Sequence, residues 1–346
     1  MDLDRDSLEL MLNLLESDTS HRNALDTCGL TDSQLRKTIA RVRELCAEIQ
    51  SQGHAKHLNL DNITVGHLAM ETLLSLTSRR AGEWFKEELR ELGGLEHIVQ
   101  TIVECCRLVD DTVNAWSPPL LEKICKVDRC LRVLENVTFQ NEENNAYLLQ
   151  FKEGILLDTV VKLFKVCDAE IPLYPSSDIT DKQSVGVLIN LTHNFSANSQ
   201  GALAAGQKQG MIDNSLHVLL QIPQHIPDEE KFDCTVLALI LLINLVEHND
   251  VNRRTIIHAK HLQRLRSLVY IVTLYFSVLQ KAGRHMEHTL IAAYVGLLLG
   301  YLTIDNDSLR RYLPENNFST ILSILKKFYD FMNLTAAVSI YLKPKV

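Results

Sequence analysis

His285 and His288 lie three apart in HMEH, so one helical face would carry both imidazoles. A zinc site needs three or four ligands, and no third is evident, so the pair reads as surface polar residues. The eight cysteines (Cys28, Cys46, Cys105, Cys106, Cys125, Cys130, Cys167, Cys234) form no C-x-x-C pair. Most sit in apolar runs, as free core thiols do, and such usage suits a reducing compartment. Gly201, Gly206 and Gly210 are punctuation between helices, because no strand pattern precedes them. No G-x-x-x-x-G-K, G-x-S-x-G or H-E-x-x-H occurs. Asn-x-Ser/Thr triplets include those starting at Asn62, Asn136, Asn190, Asn194, Asn317 and Asn333, mostly in apolar segments where a glycan would not fit. The expectation is therefore no catalytic residue, no metal, no cofactor and no enzyme activity.

Surface chemistry remains. In a helix starting near Ala81, the spacing places Trp84, Phe85, Leu89 and Leu92 on a buried side. Glu83, Lys86, Glu87 and Arg90 then point outward. Glu83–Glu87 and Lys86–Arg90 are like-charge i,i+4 pairs, which weaken a helix. A plainly solvated face tends to avoid that pattern, so these four residues are candidates for a partner surface.

The elements that carry such a surface follow from composition. With 46% hydrophobic residues, only 6% aromatics and Leu dominant, the 346-residue chain favours helix over sheet. The net charge of −8 and the short basic clusters (Arg79/Arg80, Arg253/Arg254, Arg264/Arg266) argue against direct nucleic-acid binding. The acidic, helix-like start MDLDRDSLEL does not read as a signal peptide. The longest apolar runs, 234–246, 267–280 and 289–304, fall short of the ~18–20 residues of a bilayer span.

A pattern recurs. LLSL (73–76), LENV (134–137), LINL (188–191), LINL (242–245) and LGYL (299–302) follow one another at steps of 54–61 residues, and each is expected to end an apolar helix. A further helix then leads to a turn at Gly93-Gly94, Gly154, Gly210 or Asn316-Asn317, because tight reversal favours a left-handed residue. The fourth unit offers only HAKHLQRL (258–265), without Gly. Asn136, Asn190 and Asn244 share the third anchor position, resembling armadillo repeats, in which the amide bonds a neighbouring helix; an ordinary helix-end Asn is the other reading. The expected fold is all-α: a HEAT/armadillo-like superhelical solenoid, elongated, with two lobes. The lobes are placed at 1–167 and 184–342, with a flexible loop at 168–183 ending in a Thr180–Gln183 capping box. Further expectations are helices at 8–16 and from the Thr31–Gln34 capping box to about Gln50, and a helix-free break at Pro118-Pro119.

ITVGHLAMETLLSLTSRRAGEWFKEELRELGGLEHIV (63–99) closely resembles the C-terminal domain of the wings apart-like family of cohesin-release factors. CLRVLENVT (130–138), LALILLINLVEHNDVNRR (237–254), KAGRHMEHTLIAAYVGLLLGYL (281–302) and LKKFYDFMNLTAAV (325–338) look like further blocks in the same order. The resemblance implies a nuclear, chromatin-associated, non-enzymatic protein. It would bind cohesin (SMC heads, kleisin, HEAT-repeat regulatory subunits) and promote release from chromatin by opening the SMC–kleisin gate. Sister-chromatid cohesion and chromosome segregation would depend on it. No membrane contact is implied, and a monomer is expected. Partner-binding residues carried over are Glu83, Lys86, Glu87 and Arg90, with Met286, Glu287 and Leu290 in the later block. If that helix starts near Arg284, Leu290 stacks over Met286. No Phe-Gly-Phe tether occurs in this chain, and the charged insert that some relatives carry before KAGRHME is not present. The alternative is a generic armadillo/HEAT adaptor for another protein.

Overall fold

The computed structural model describes residues 5–16, 31–53, 60, 63–77, 83–107, 109, 117–173, 182–194, 200–257 and 286–304, with isolated positions 323, 326, 329 and 330. Every regular element among the described residues is helical. In chain order they are α1 (Arg5–Leu15), α2 (Asp32–Ser51), α3 (Val65–Leu76), α4 (Trp84–Glu91), α5 (Gly94–Cys106), α6 (Pro118–Thr138) and α7 (Glu142–Gln150). Then follow α8 (Ile155–Glu170), α9 (Lys182–Thr192), α10 (Gly201–Gln207), α11 (Met211–Leu220), α12 (Asp228–Val246), α13 (Asp250–Ile257) and α14 (Met286–Thr303), with short 3-10 turns at Phe151–Gly154, Ile171–Leu173 and Ile222–Gln224.

The local signals act where the sequence placed them. Thr31 and Gln34 form the capping box of α2. Gly93, Gly154 and Gly210 adopt left-handed φ of 84°, 79° and 83° and reverse the chain into α5, α8 and α11. A β-carbon at these angles would strain the turn. Each of the five anchors occupies the last turn of its helix: α3, α6, α9, α12 and α14. Asn316-Asn317, Thr180 and 258–265 lie outside the described residues.

Two side-chain devices lock those helix ends. Asn136 Nδ2 on α6 donates to Leu74 O (3.2 Å) and Thr77 Oγ1 at the end of α3. Asn244 Nδ2 on α12 donates to Ile189 O (2.9 Å) and Thr192 Oγ1 (3.4 Å) on α9. At two of the three repeated positions, Asn136 and Asn244, the Asn therefore bonds the neighbouring helix's carbonyl, where a helix end leaves carbonyls without intrahelical partners. A second device is a threonine one place past four of the anchors: Thr77, Thr138, Thr192 and Thr303, all buried. Each turns its hydroxyl back onto its own helix, accepted by Leu73 O, Leu134 O, Leu188 O and Gly300 O. Burial without that bond would cost ~1–3 kcal/mol per hydroxyl.

The chain divides into two compact units, Met1–Val166 and Cys167–Val346. In the first, α6 is central and packs against α1, α3, α5 and α7. Arg129 of α6 is almost wholly buried and donates from Nε to Leu15 O (3.0 Å), closing the end of α1. Glu16, one residue on, accepts from Thr101 Oγ1 and bonds His97 Nε2, each at 2.6 Å. In the second unit α12 is central, packed by α9, α10, α11, α13 and α14, with Leu239, Leu241, Leu242, Leu245 and Val246 fully buried. Among the described residues no single helix is long and apolar enough to cross a membrane.

Two expectations fail. Pro118 and Pro119 do not break a helix; they start α6 at its first two positions, where a missing N–H is no loss. The segment expected to be loop from 168 is helical at first: α8 runs to Glu170 and a 3-10 turn covers Ile171–Leu173. Half-buried Ile171 carries the apolar side past the point where composition alone turns polar.

Candidate partner surface

α4 was expected to bury one side and expose Glu83, Lys86, Glu87 and Arg90. Phe85 and Leu89 are indeed fully buried, but the helix packs on two neighbours, α5 and α7, and its polar side is divided between them and solvent. Lys86 is 1% exposed. Its Nζ donates to Phe139 O (3.0 Å) and lies 3.1 Å from Glu83 Oε2. Arg90 is half-buried and reaches α7, donating to Asn144 Oδ1 and Glu143 Oε2, both at 2.7 Å. The outward orientation expected for Lys86 and Arg90 is thus corrected. The apparent like-charge pair is two separate anchors: Lys86 is paired with Glu83 at the start of its own helix, and Arg90 with Glu143 of α7. Trp84 corrects in the other direction: expected inside, it is 43% exposed, its ring edge-on to Phe85 with centroids 5.6 Å apart. What α4 presents outward is Glu83, Trp84, Glu87 and Glu91, with Glu142 and Glu143 of α7 also exposed. The face is acidic around one tryptophan, and that tryptophan is the residue that helical spacing alone hid.

The corner beside this face holds it in place. α6 ends at Thr138, Gln140 turns left-handed (φ 52°), and Asn141 caps α7, accepting from Asn144 N (2.8 Å). Asn144, wholly buried, sends its amide to Val137 O (3.1 Å) and to Lys86 O (3.2 Å). Asn145 donates to Thr138 O (3.2 Å). Side chains of the second helix thus satisfy the last carbonyls of the first, and one of them also grips α4. Tyr147 donates to Glu96 of α5; burial and that bond push the phenol up to about 12.

The second candidate surface opens α14. The described part of this helix runs from Met286, and the expected start near Arg284 lies outside the described residues. Glu287 is exposed and Leu290 half-buried; the Met286 side chain and His285 lie outside the described residues. The two candidate surfaces belong to different compact units. Among the described residues, no group of three or more His, Cys, Asp or Glu side chains is placed to hold a metal. Cys46, Cys105, Cys106, Cys130 and Cys167 are buried and in no disulfide, and desolvation pushes the Cys106 thiol up to about 12.

A family model described as "Wings apart-like protein regulation of heterochromatin" matches residues 1–252. The chain belongs to the wings apart-like family. It is 40% identical to the Drosophila melanogaster "Protein wings apart-like" and 33% identical to the Homo sapiens "Wings apart-like protein homolog", each time over 98% of its length. A Caenorhabditis elegans "Wings apart-like protein homolog 1" is 23% identical over 84% of the chain. The chain spans only 23% of the fly protein and 37% of the human one. Those two alignments run over 405 and 451 positions, more than the chain's 346, so both wings apart-like relatives carry residues inserted relative to it.

Proposed function

We propose that the chain is a HEAT/armadillo-type helical scaffold that binds cohesin and promotes its release from chromatin, acting in the nucleus through protein contacts rather than by catalysis. On this reading it helps to open the SMC–kleisin gate and so affects sister-chromatid cohesion and chromosome segregation. Membership of the wings apart-like family carries the proposal, since the match covers nearly the whole chain at 33–40% identity. The geometry lends support: rigid corners fix α4, and its outward side is left to acidic residues and Trp84. Such a surface suits electrostatic recognition of a basic partner patch around an aromatic anchor.

The contact residues proposed are Glu83, Glu87 and Trp84 on α4, with Met286, Glu287 and Leu290 on α14. Lys86 and Arg90 act indirectly, by holding α4. The test is a binding map of the chain against separately purified SMC heads, kleisin and HEAT-repeat subunits, followed by a chromatin-release assay. A Glu87→Lys, Glu287→Lys variant should keep its thermal midpoint while binding and release are lost. Normal release by that folded variant rejects these surfaces. Failure of every cohesin subunit to bind the unmodified chain rejects the cohesin reading and leaves a generic helical adaptor.

A further inference from the structure

The first unit carries a second feature, away from the charged side of α4. Between the end of α5 and the start of α8 is a hollow of about 120 Å³. Val99, Val103 and Ile155 form its apolar wall with the ring of Phe151, and Arg107 and Lys152 also line it. The backbone here is unusual: Lys152 (φ 45°, ψ 51°) and Glu153 (φ 60°, ψ 29°) are left-handed in succession, just before Gly154. Residues with a β-carbon rarely hold that conformation, and such strain persists only where surrounding contacts impose it. The turn sets Lys152 Nζ 5.2 Å from the Phe151 ring centroid, so the ammonium stands beside the apolar wall.

Both cations are exposed, and no carboxylate among the described residues pairs with either. Glu104 is the one acidic residue lining the hollow, which leaves a net positive rim; Gln100 adds an amide able to bond a peptide backbone. The volume is far below the ~300 Å³ at which small-molecule and cofactor pockets begin. It suits a single aliphatic side chain.

We propose that this hollow docks a short extended peptide of a partner protein. One aliphatic side chain sits against Val103, Ile155 and the Phe151 ring, above the fully buried Val99, and the carboxylate of an adjacent Asp or Glu is held between Arg107 and Lys152. The inference stands apart from the cohesin reading, because it uses neither that family resemblance nor the α4 face.

The test uses the full chain with labelled Val and Ile methyls, titrated by NMR with three peptides: acetyl-Ser-Asp-Leu-Ser-amide, acetyl-Ser-Lys-Leu-Ser-amide and acetyl-Ser-Asp-Ser-Ser-amide. The Asp-Leu peptide should shift the Val99, Val103 and Ile155 methyls saturably. The other two should bind more weakly by about fivefold or more, the factor that one exposed ion pair or a partly buried side chain supplies. Arg107→Gln with Lys152→Gln alters exposed positions, so the variant should keep its thermal midpoint and lose Asp-Leu binding by a similar factor. Equal shifts with all three peptides, no saturation, or unchanged binding by the double variant would overturn the proposal. So would inorganic phosphate producing the same methyl shifts at the same concentration, since the site would then be a simple anion site.

Discussion

At the α6–α7 corner the carbonyl of Phe139 takes the buried ammonium of Lys86 at 3.0 Å; 108 residues later, at the α12–α13 corner, the carbonyl of Glu247 takes the neutral amide of Asn194 at 3.4 Å. Otherwise the two corners repeat. Gln140 and His248 are both left-handed, with φ of 52° and 50°. Asn141 and Asn249 both cap the next helix by accepting from the backbone of Asn144 and Asn252. Asn252 donates to Leu245 O (2.8 Å) and across to Ala202 O (2.9 Å), as Asn144 does to Val137 and Lys86. Arg253 Nη1 reaches Val246 O where Asn145 reaches Thr138 O. α12 and α13 thereby meet at 118° across a break of only three residues. The residue at the bend differs most. Phe139 is 40% exposed, whereas the Glu247 carboxylate is tied down by Tyr301, whose phenol is pushed up to about 12 by burial and that bond. A shared backbone problem, unpaired carbonyls at a sharp turn, is thus solved once with a charge and once with an amide. The charged solution sits beside the candidate partner face.

That contrast can be broken experimentally. Lys86→Glu should have the largest effect, a loss of ~3–5 kcal/mol in denaturant unfolding, because it sets a buried carboxylate against a carbonyl and Glu83. Asn194→Ala should lose only about 1 kcal/mol, because its amide spreads over three long contacts, Asn244 O (3.3 Å), Glu247 O and Glu247 Oε2 (both 3.4 Å). Equal losses would mean that the charge is not what holds the first corner.

Next come the shared asparagines. Asn144→Ala and Asn252→Ala each strand two carbonyls and should lose ~2–3 kcal/mol. In the second unit Gly206→Ala should mimic Asn252→Ala, since a β-carbon at Gly206 would lie 2.1 Å from Asn252 Oδ1. The two changes together should then be little worse than the worse one alone, because they remove the same contact. A fully additive double variant would show that Gly206 serves something else.

The pH dependence should separate the units by sign. His97 is raised above its ordinary 6.5, first by its bond to Glu16, and Glu16 is lowered below 4.5, first by the same bond. The His97 contribution is full below 6.5 and is lost as pH rises through its raised folded value; the Glu16 contribution is full above 4.5 and is lost as pH falls through its lowered one. This pair therefore supports the first unit best between those two values. In the second unit the 2.7 Å His217–Asp168 pair behaves differently. His217 is raised by its bond to Asp168, but burial outweighs the histidine and raises Asp168 too. Both groups there favour the protonated state, so their contribution declines only as pH rises. Unfolding midpoints across a pH series should show acid loss removed by Glu16→Gln, while Asp168→Asn leaves the acid limb in place.

The smallest effect belongs to the exposed side of α4. Glu87→Lys should change stability by no more than about 0.5 kcal/mol. A larger loss would mean that Glu87, too, is part of the corner.

The helical periods, the caps and the reversals were legible because each depends on neighbours in sequence. Thr31 with Gln34, the glycines at 93, 154 and 210, and the five anchors all behave as their spacing predicts. The paired corners left a signature that was also readable, since QNEENN (140–145) and HNDVNR (248–253) share asparagines at matching positions. Each begins three residues past the end of its anchor, outside the repeated tetrapeptide itself.

For the candidate surface, the sequence by itself determined that α4 would be amphipathic, with Phe85 and Leu89 turned inward, and that Asn136 and Asn244 would sit at helix ends. It could not say which polar residues face water. Lys86 finds its partner 53 residues away at Phe139, and Arg90 finds Asn144 at a separation of 54. A helical wheel carries one apolar direction, whereas α4 has two neighbours. Tertiary packing alone decided that Lys86 is buried and Arg90 half-buried, both as braces, and that a tryptophan and a row of carboxylates remain outside.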